Sequence, residues 1–123
     1  MPKVTHFEIL GPDGKALQSF YGSLFGWKVD ANNPMNYGIV NAEDTGGGIG
    51  GGISAGDGQT NQLVTVYIAV QDPEAALKKV ESAGGKTVMP VTEIPGMVRL
   101  AQFADPEGNL VGIIDANYPG QQS

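Results

Sequence analysis

The residues best suited to chemistry in this chain are few: one histidine, His6, one arginine, Arg99, and no cysteine. His6 and Glu8 are two residues apart in a segment that alternates polar and apolar residues, so both side chains would lie on one face of a strand. A histidine beside a carboxylate can act as a base that the carboxylate orients, or as part of a metal site. It can also be a neutral histidine that is hydrogen-bonded within a pocket wall. His6 and Glu8 are therefore the catalytic candidates.

The missing residue types exclude several kinds of site. Without cysteine there is no disulfide, no thiolate metal site and no thiol nucleophile. An iron centre of two histidines and one carboxylate needs two histidines, whereas one chain supplies only His6. No G-x-S-x-G turn for a serine nucleophile occurs. We expect neither a bound metal nor another cofactor.

Five further residues are candidates for binding a ligand. Tyr37, Thr65 and Tyr67 offer aromatic surface and hydroxyls that could orient a small planar molecule, although one or both tyrosines could instead fill the core. Arg99 would anchor an anionic group if it faces the ligand, and would be a surface charge if it faces outward. Phe103 lies on the same strand face as Arg99 in either case.

Composition limits the remaining function classes. The chain has 123 residues, enough for one domain, and seven Lys plus Arg against thirteen Asp plus Glu give a net charge of −6. This charge opposes binding to nucleic acid and would suit a cationic ligand. No run approaches the ~20 apolar residues of a membrane span, so we expect no membrane partner and a cytoplasmic protein.

Hydrophobic periodicity predicts the order β-α-β-β-β in each half of the chain. The predicted helices begin at Lys15 and at Pro73, and they end at Gly26 and at Gly84. The predicted strands are residues 4–10, 27–30, 36–42, 63–70, 86–91, 97–103 and 110–114.

A glycine tract, residues 46–52, supplies the remaining strand of the first half. It contains G-x-G-x-x-G but lacks the following helix that dinucleotide binding needs. We interpret it as a strand left bare so that backbone, a ligand or a second subunit can approach closely; a flexible lid is the alternative. Residues 54–62 resemble a linker, so we divide a single domain, 1–123, into modules 1–57 and 58–118 with a tail, 119–123.

The two halves match at one constant spacing, which indicates a duplication. His6 falls opposite Thr65, Ile9 opposite Ile68, and Gly26 opposite Gly85. Two such modules can close edge to edge into a cup that is lined by alternate strand residues. We predict an α+β fold in which two βαβββ modules form a curved, cup-shaped mixed sheet with helices on its outer face.

Four segments carry a resemblance to a known family: HFEI at 6–9, FYGSLFGW at 20–27, VQDPEAAL at 70–77 and DPEGNLVG at 105–112. Together they resemble the vicinal oxygen chelate superfamily, which includes glyoxalase I, bleomycin-resistance proteins, fosfomycin-resistance enzymes and extradiol dioxygenases. In its metal-using members the resemblance implies four ligands, from the first and last strands of each module. His6 matches the first position, whereas the others fall on Thr65, on Gly112 and in the glycine tract.

The resemblance therefore implies a ligand-poor subgroup of the superfamily. The expected function is binding of a small organic molecule in the cup by a homodimer, without a full metal site, as in the bleomycin-resistance proteins. The alternative is a lyase or isomerase that uses His6 as a metal-independent base or has an unusual set of metal ligands. A third possibility is a dimerisation module with an empty cup, so enzymatic activity stays an open question at this point.

Overall fold

Eight strands and two α-helices are present in the computed structural model, which describes residues 1–56 and 61–119. The chain divides into two compact units, one formed by His6–Thr65 and the other by Met1–Thr5 with Val66–Ser123. A short 3-10 helix, Ala42–Thr45, is also present. The elements are, in chain order, β1 (Lys3–Gly11), α1 (Gly14–Phe25), β2 (Val29–Asp30), β3 (Gly38–Val40), β4 (Gly50–Ala55), β5 (Leu63–Val70), α2 (Pro73–Ser82), β6 (Lys86–Ile94), β7 (Val98–Ala104) and β8 (Leu110–Asp115).

The first module orders its strands β2-β3-β4-β1. The neighbouring strands β1 and β4 run parallel, with Glu8 opposite Gly52, while β3 is antiparallel to both β4 and β2. The second module orders its strands β5-β8-β7-β6, with β5 and β8 parallel and the other two pairs antiparallel. Each module is therefore mixed and has the order βαβββ, which confirms the predicted α+β fold class.

Both helices begin at an aspartate. The Asp13 carboxylate accepts a hydrogen bond from the Ala16 backbone N–H at 3.0 Å, and Asp72 does the same for Ala75. Each contact satisfies one of the N–H groups that the first helical turn leaves unpaired. Gly26 ends α1 with φ at 71°, a left-handed conformation that glycine adopts without strain.

In the second module, α2 packs on one face of the sheet. Leu77 of α2, Ala101 of β7 and Ile113 of β8 form the buried cluster on this face. The opposite face has its own cluster of Tyr67, Ala69 and Ile114. Neighbouring residues of a strand point to opposite faces. In β7, Ala101 and the other odd-numbered residues therefore lie on the α2 face, whereas Leu100 and the other even-numbered residues lie on the opposite face.

In the first module, the two faces of β1 also differ. A Cβ atom at Gly11 would lie 3.2 Å from Leu17 of α1, so Gly11 faces the helix. Phe7 has the same parity, and its ring lies 5.6 Å from the Trp27 ring, just beyond α1. His6 and Glu8 therefore point to the face away from α1.

Two strands of the first module are shorter than predicted. The sequence pattern predicts residues 27–30 and 36–42, whereas β2 and β3 cover two and three residues. The Asn33 side chain accepts a hydrogen bond from the Tyr37 N–H at 2.9 Å and donates to the Tyr37 carbonyl at 2.7 Å. Since Asn33 takes both backbone groups of Tyr37, this residue stays outside the strand pairing.

The predicted boundary between residues 57 and 58 lies outside the described residues, as do residues 120–123 of the predicted tail. Over residues 1–56 and 61–119, neither helix combines the length and the hydropathy that crossing a bilayer requires.

Candidate functional site

The first module brings His6, Glu8 and Tyr37 together through one hydroxyl group. Tyr37 donates a hydrogen bond to Glu8 Oε2 at 2.8 Å, and His6 Nε2 lies 2.9 Å from the same hydroxyl oxygen. The rings of His6 and Tyr37 are nearly parallel, with 12° between their planes. Two predicted catalytic residues and one predicted ligand-binding residue thus form a single network, which we call the Tyr37 network.

Glycine in β4 makes room for this network. Gly52 pairs with Glu8, and a Cβ atom built at Gly52 would overlap the hydroxyl end of Tyr37. On the other face, a Cβ at Gly51 would overlap the Phe7 ring. The tract is thus only partly the predicted bare strand, since β4 begins at Gly50 and residues 46–49 lie outside it. Close approach does occur at Gly51 and Gly52, and the groups that approach are aromatic side chains of the same module rather than the backbone, ligand or second subunit that the prediction named.

Burial determines the charge state of the histidine. Desolvation lowers the pKa of His6 from 6.5 to about 4, because the charged imidazolium loses water contacts that the interior does not replace. His6 is therefore neutral at pH 7. Glu8 is only 8% exposed, and the Tyr37 hydroxyl supplies a donor that its buried carboxylate needs.

The second module carries a comparable arrangement around Tyr67. This residue is 6% exposed, its hydroxyl accepts a hydrogen bond from Gln102 Nε2 at 3.0 Å, and its ring covers Gly112, its partner in the strand pairing. Thr65, two residues earlier on β5, is also buried and has the same strand parity. The roles of Tyr67 and Thr65 as ligand contacts stay predictions.

Arg99 and Phe103 lie on the α2 face of the second module. Arg99 donates to Asp115 Oδ2 at 3.1 Å and forms an ion pair with Glu74 of α2. Phe103 packs against the cluster around Leu77 on the same face. Tyr67 lies on the opposite face, so the sheet separates it from Arg99 and Phe103. Arg99 thus contacts α2, Phe103 packs against the cluster on the α2 face, and the ligand contacts of both residues stay predictions.

Two residues that are not among the predicted site residues support the Tyr37 network: Asn33, which holds the Tyr37 backbone, and Gly52, which admits the ring. Gln102, the partner of Tyr67, was also not predicted. Only Gly52 left a signal in the sequence, as part of the glycine tract.

The donor set does not fit the four-ligand metal site that the family resemblance implies. The position of Gly52 offers no ligand, and the space beside it holds the Tyr37 hydroxyl, which bonds to both His6 and Glu8. In the second module the corresponding pair is Tyr67 on Gly112. No group of three His, Cys, Asp or Glu residues able to hold a metal ion occurs within residues 1–56 and 61–119.

A surface groove runs along each of the two helices, and none of the seven predicted site residues lines either of these grooves. One groove, of about 360 Å³, runs along α1 and includes Lys15, Ser23 and Trp27. The other, of about 530 Å³, runs along α2 between Val70 and Ala83. The Tyr37 network is thus a polar site on a strand face, separate from both helix grooves.

A solved structure with a similar fold is the glyoxalase/bleomycin resistance protein/dioxygenase superfamily member from Vibrio splendidus. It matches with a TM-score of 0.64 at 16% identity, over 94% of this chain and 98% of that one. At this identity the match shows the fold alone.

Two curated relatives are more similar in sequence. The anthracycline biosynthesis protein DnrV of Streptomyces peucetius is 30% identical over 117 residues, and the CFP32 protein of Mycobacterium bovis is 34% identical over 111. The matches cover 83% and 85% of this chain but only 42% of each relative, so the chain spans about two fifths of their length. A family model matches residues 3–113, and the chain therefore belongs to the Glyoxalase/Bleomycin resistance protein/Dioxygenase superfamily.

Proposed function

We propose that this protein binds a small organic molecule at the strand face that carries the Tyr37 network, without a full metal site. The observation that carries the proposal is the single hydroxyl that joins His6 and Glu8 and occupies the space above Gly52. Because these side chains bond to one another, they form a preorganised polar surface with an aromatic ring beside it. Such a combination of a few fixed polar groups and aromatic surface is typical of small-molecule sites.

The charge of the site favours a neutral or cationic ligand. His6 is neutral at pH 7, and burial of a carboxylate such as Glu8 is tolerated only with hydrogen-bond partners. The whole chain has a net charge of −6, which attracts cations at long range. Arg99, the one arginine in the sequence, is paired with Glu74 and Asp115 on the α2 face.

An anthracycline is the first probe, because it is planar and carries a cationic amino sugar, and because one relative is named an anthracycline biosynthesis protein. Its fluorescence allows an equilibrium titration of the protein after dialysis against a chelator. We expect saturable binding by the wild type. Tyr37→Phe keeps the ring and removes the hydroxyl, and one lost hydrogen bond of about 1 kcal/mol predicts roughly fivefold weaker binding.

Tyr21→Phe is the matched control, since it makes the same chemical change in the aromatic cluster that α1 forms with Trp27. It should bind as the wild type does. Equal affinity for the wild type and Tyr37→Phe would place the probe elsewhere on the protein. If the wild type, Tyr37→Phe and Tyr21→Phe all fail to bind the anthracycline, this class of compound is excluded as the ligand.

A second candidate function is an isomerase or lyase that uses His6 as a base. It is favoured by the contact from Glu8 through Tyr37 to His6, which resembles the orienting arrangement of general bases. Binding takes precedence because a base with a pKa of about 4 has little driving force for proton abstraction at neutral pH.

Deuterium exchange separates the two functions. A bound compound is incubated in heavy water with wild type or His6→Ala, and its carbon-bound deuterium is measured by mass spectrometry. An enzyme incorporates deuterium and loses this activity in His6→Ala while still binding the compound. A binding protein shows no incorporation in either form.

A further inference from the structure

The Tyr37 hydroxyl has only one proton, and this fact assigns a direction to the two hydrogen bonds that join it to Glu8 and to His6. Tyr37 donates this proton to Glu8 Oε2 at 2.8 Å, and with Glu8 in its ionised form the carboxylate has no proton to return. The contact between the hydroxyl oxygen and His6 Nε2, at 2.9 Å, then needs a proton from the histidine. Nε2 is therefore the protonated ring nitrogen.

A neutral imidazole has one N–H group, so a proton on Nε2 leaves the lone pair on Nδ1. The ring is neutral at pH 7 because burial lowers the pKa of His6 to about 4. The two nitrogens thus have distinct chemistry: Nε2 is committed as a donor to Tyr37, and Nδ1 is the basic atom.

The surroundings of Tyr37 hold its hydroxyl at this position. Asn33 fixes the backbone of Tyr37 through two hydrogen bonds, 2.9 and 2.7 Å long. Asn36, just before it, has φ at 52°, a left-handed conformation that turns the chain into Tyr37. Gly52 leaves the space into which the hydroxyl fits. A hydroxyl held from its backbone and by Glu8 can impose one arrangement on the histidine ring.

We propose that Tyr37 is a positioning residue that holds neutral His6 in the Nε2–H tautomer, with Glu8 orienting the Tyr37 hydroxyl. This inference goes beyond the proposed function, since it describes the protein without ligand. It also specifies the atom that acts if His6 is a base: the proton acceptor is Nδ1.

Nuclear magnetic resonance tests the proposal directly, because His6 is the one histidine in the sequence and its ring signals need no assignment. Protein with ¹⁵N-labelled histidine is measured at pH 7 without ligand, in a spectrum that correlates ring nitrogens with ring carbon-bound protons. We expect Nε2 in the range of protonated nitrogens and Nδ1 in the range of unprotonated ones. The reverse pattern, or two nitrogens at averaged positions, overturns the proposal.

Tyr37→Phe tests the role of the hydroxyl. Without it, both ring nitrogens should move toward positions averaged between the tautomers, while Tyr21→Phe leaves the wild-type pattern unchanged. An unchanged pattern in Tyr37→Phe overturns the positioning role. A dispersed amide spectrum verifies that each variant is folded, and the wild-type pattern decides the tautomer even if Tyr37→Phe does not fold. Failure of anthracycline binding leaves these results unaffected.

Discussion

At the residue scale, the central feature of the molecule is the hydrogen-bonded network of His6, Glu8 and Tyr37. A histidine and a carboxylate on one strand face are suitable ligands for a metal ion, yet here a tyrosine hydroxyl lies within 3 Å of both. The buried carboxylate gains a donor and the histidine gains a fixed partner. The same two residues that suggest metal chemistry in the sequence therefore form a hydrogen-bonded surface in the fold.

The low pKa of His6 predicts a pH-dependent stability. The unfolded chain takes up a proton near pH 6.5, whereas the folded protein resists protonation until about pH 4. The unfolded state thus binds more protons between these values, and the contribution of His6 is complete above pH 6.5 and is lost as the pH falls toward 4. We expect a loss of up to about 3 kcal/mol in the free energy of unfolding.

Urea unfolding at several pH values between 4 and 7 measures this effect, with His6→Gln as the control that cannot titrate. Carboxylates titrate in both proteins, so the difference between the two curves reports His6. The wild type should lose stability faster than His6→Gln on acidification. Parallel curves would show that His6 titrates normally in the folded protein.

The sequence predicted all three residues of the network but not the contacts that join them. Strand alternation correctly placed His6 and Glu8 on one face, because that pattern is local. It also placed Tyr37 among the candidates, but no local pattern shows that a residue 29 positions from Glu8 donates to it. Likewise, the alternation put Arg99 and Phe103 on one face, while only the packing of α2 shows which face that is.

At the element scale, the absence of side chains in β4 is what allows the network to form. Gly51 and Gly52 are buried, and each is covered by an aromatic ring from a different face of the module. Glycine usually weakens a strand because it has no side chain to pack. Here the rings of Phe7 and Tyr37 fill that space.

Gly52→Ala should therefore destabilise the protein and displace Tyr37. The new Cβ would overlap the Tyr37 hydroxyl, and overpacking of this kind costs about 1–3 kcal/mol. The measurement is the free energy of unfolding in urea. Gly48→Ala, in the same tract, is the control, because the nearest atom to its Cβ would be Thr45 Oγ1 at 3.5 Å. Equal stability of the two variants would contradict this account of β4.

Element boundaries show where sequence patterns succeed and where they fail. β5, predicted as residues 63–70, is observed as Leu63–Val70, and the cap of α2 at Asp72 is confirmed. β3 ends up shorter than predicted because Asn33 withdraws the Tyr37 backbone from strand pairing. Periodicity and capping are local signals, whereas this contact depends on a turn whose geometry the pattern does not contain.

At the scale of the whole molecule, the repeat was the most informative signal in the sequence. The structure gives Glu8 paired with Gly52 in one module and Tyr67 paired with Gly112 in the other, each in a parallel first-to-last strand pair. The alignment of His6 with Thr65 puts Glu8 opposite Tyr67 as well, so equivalent positions in the two modules take equivalent places. Different residues at the same places then determine what each module can bind.

The exposed apolar surface of α1 predicts self-association. Phe20, Leu24 and Phe25 are 57%, 58% and 56% exposed, and large apolar side chains grouped on a surface favour burial against a partner. We expect a mass in solution of twice the 12.8 kDa of one chain by light scattering. The double variant Phe20→Ser, Leu24→Ser should be a monomer. A monomeric wild type would exclude the homodimer.

The most direct test of the central claim, that the Tyr37 network replaces a metal site, is the metal content of the purified protein. Untagged wild type and His6→Ala are prepared without chelator, supplied with nickel, zinc, manganese and iron, passed over a desalting column and measured by mass spectrometry. We predict no stoichiometric metal in the wild type and no difference between the two proteins. About one ion per chain in the wild type that is lost in His6→Ala would contradict the account.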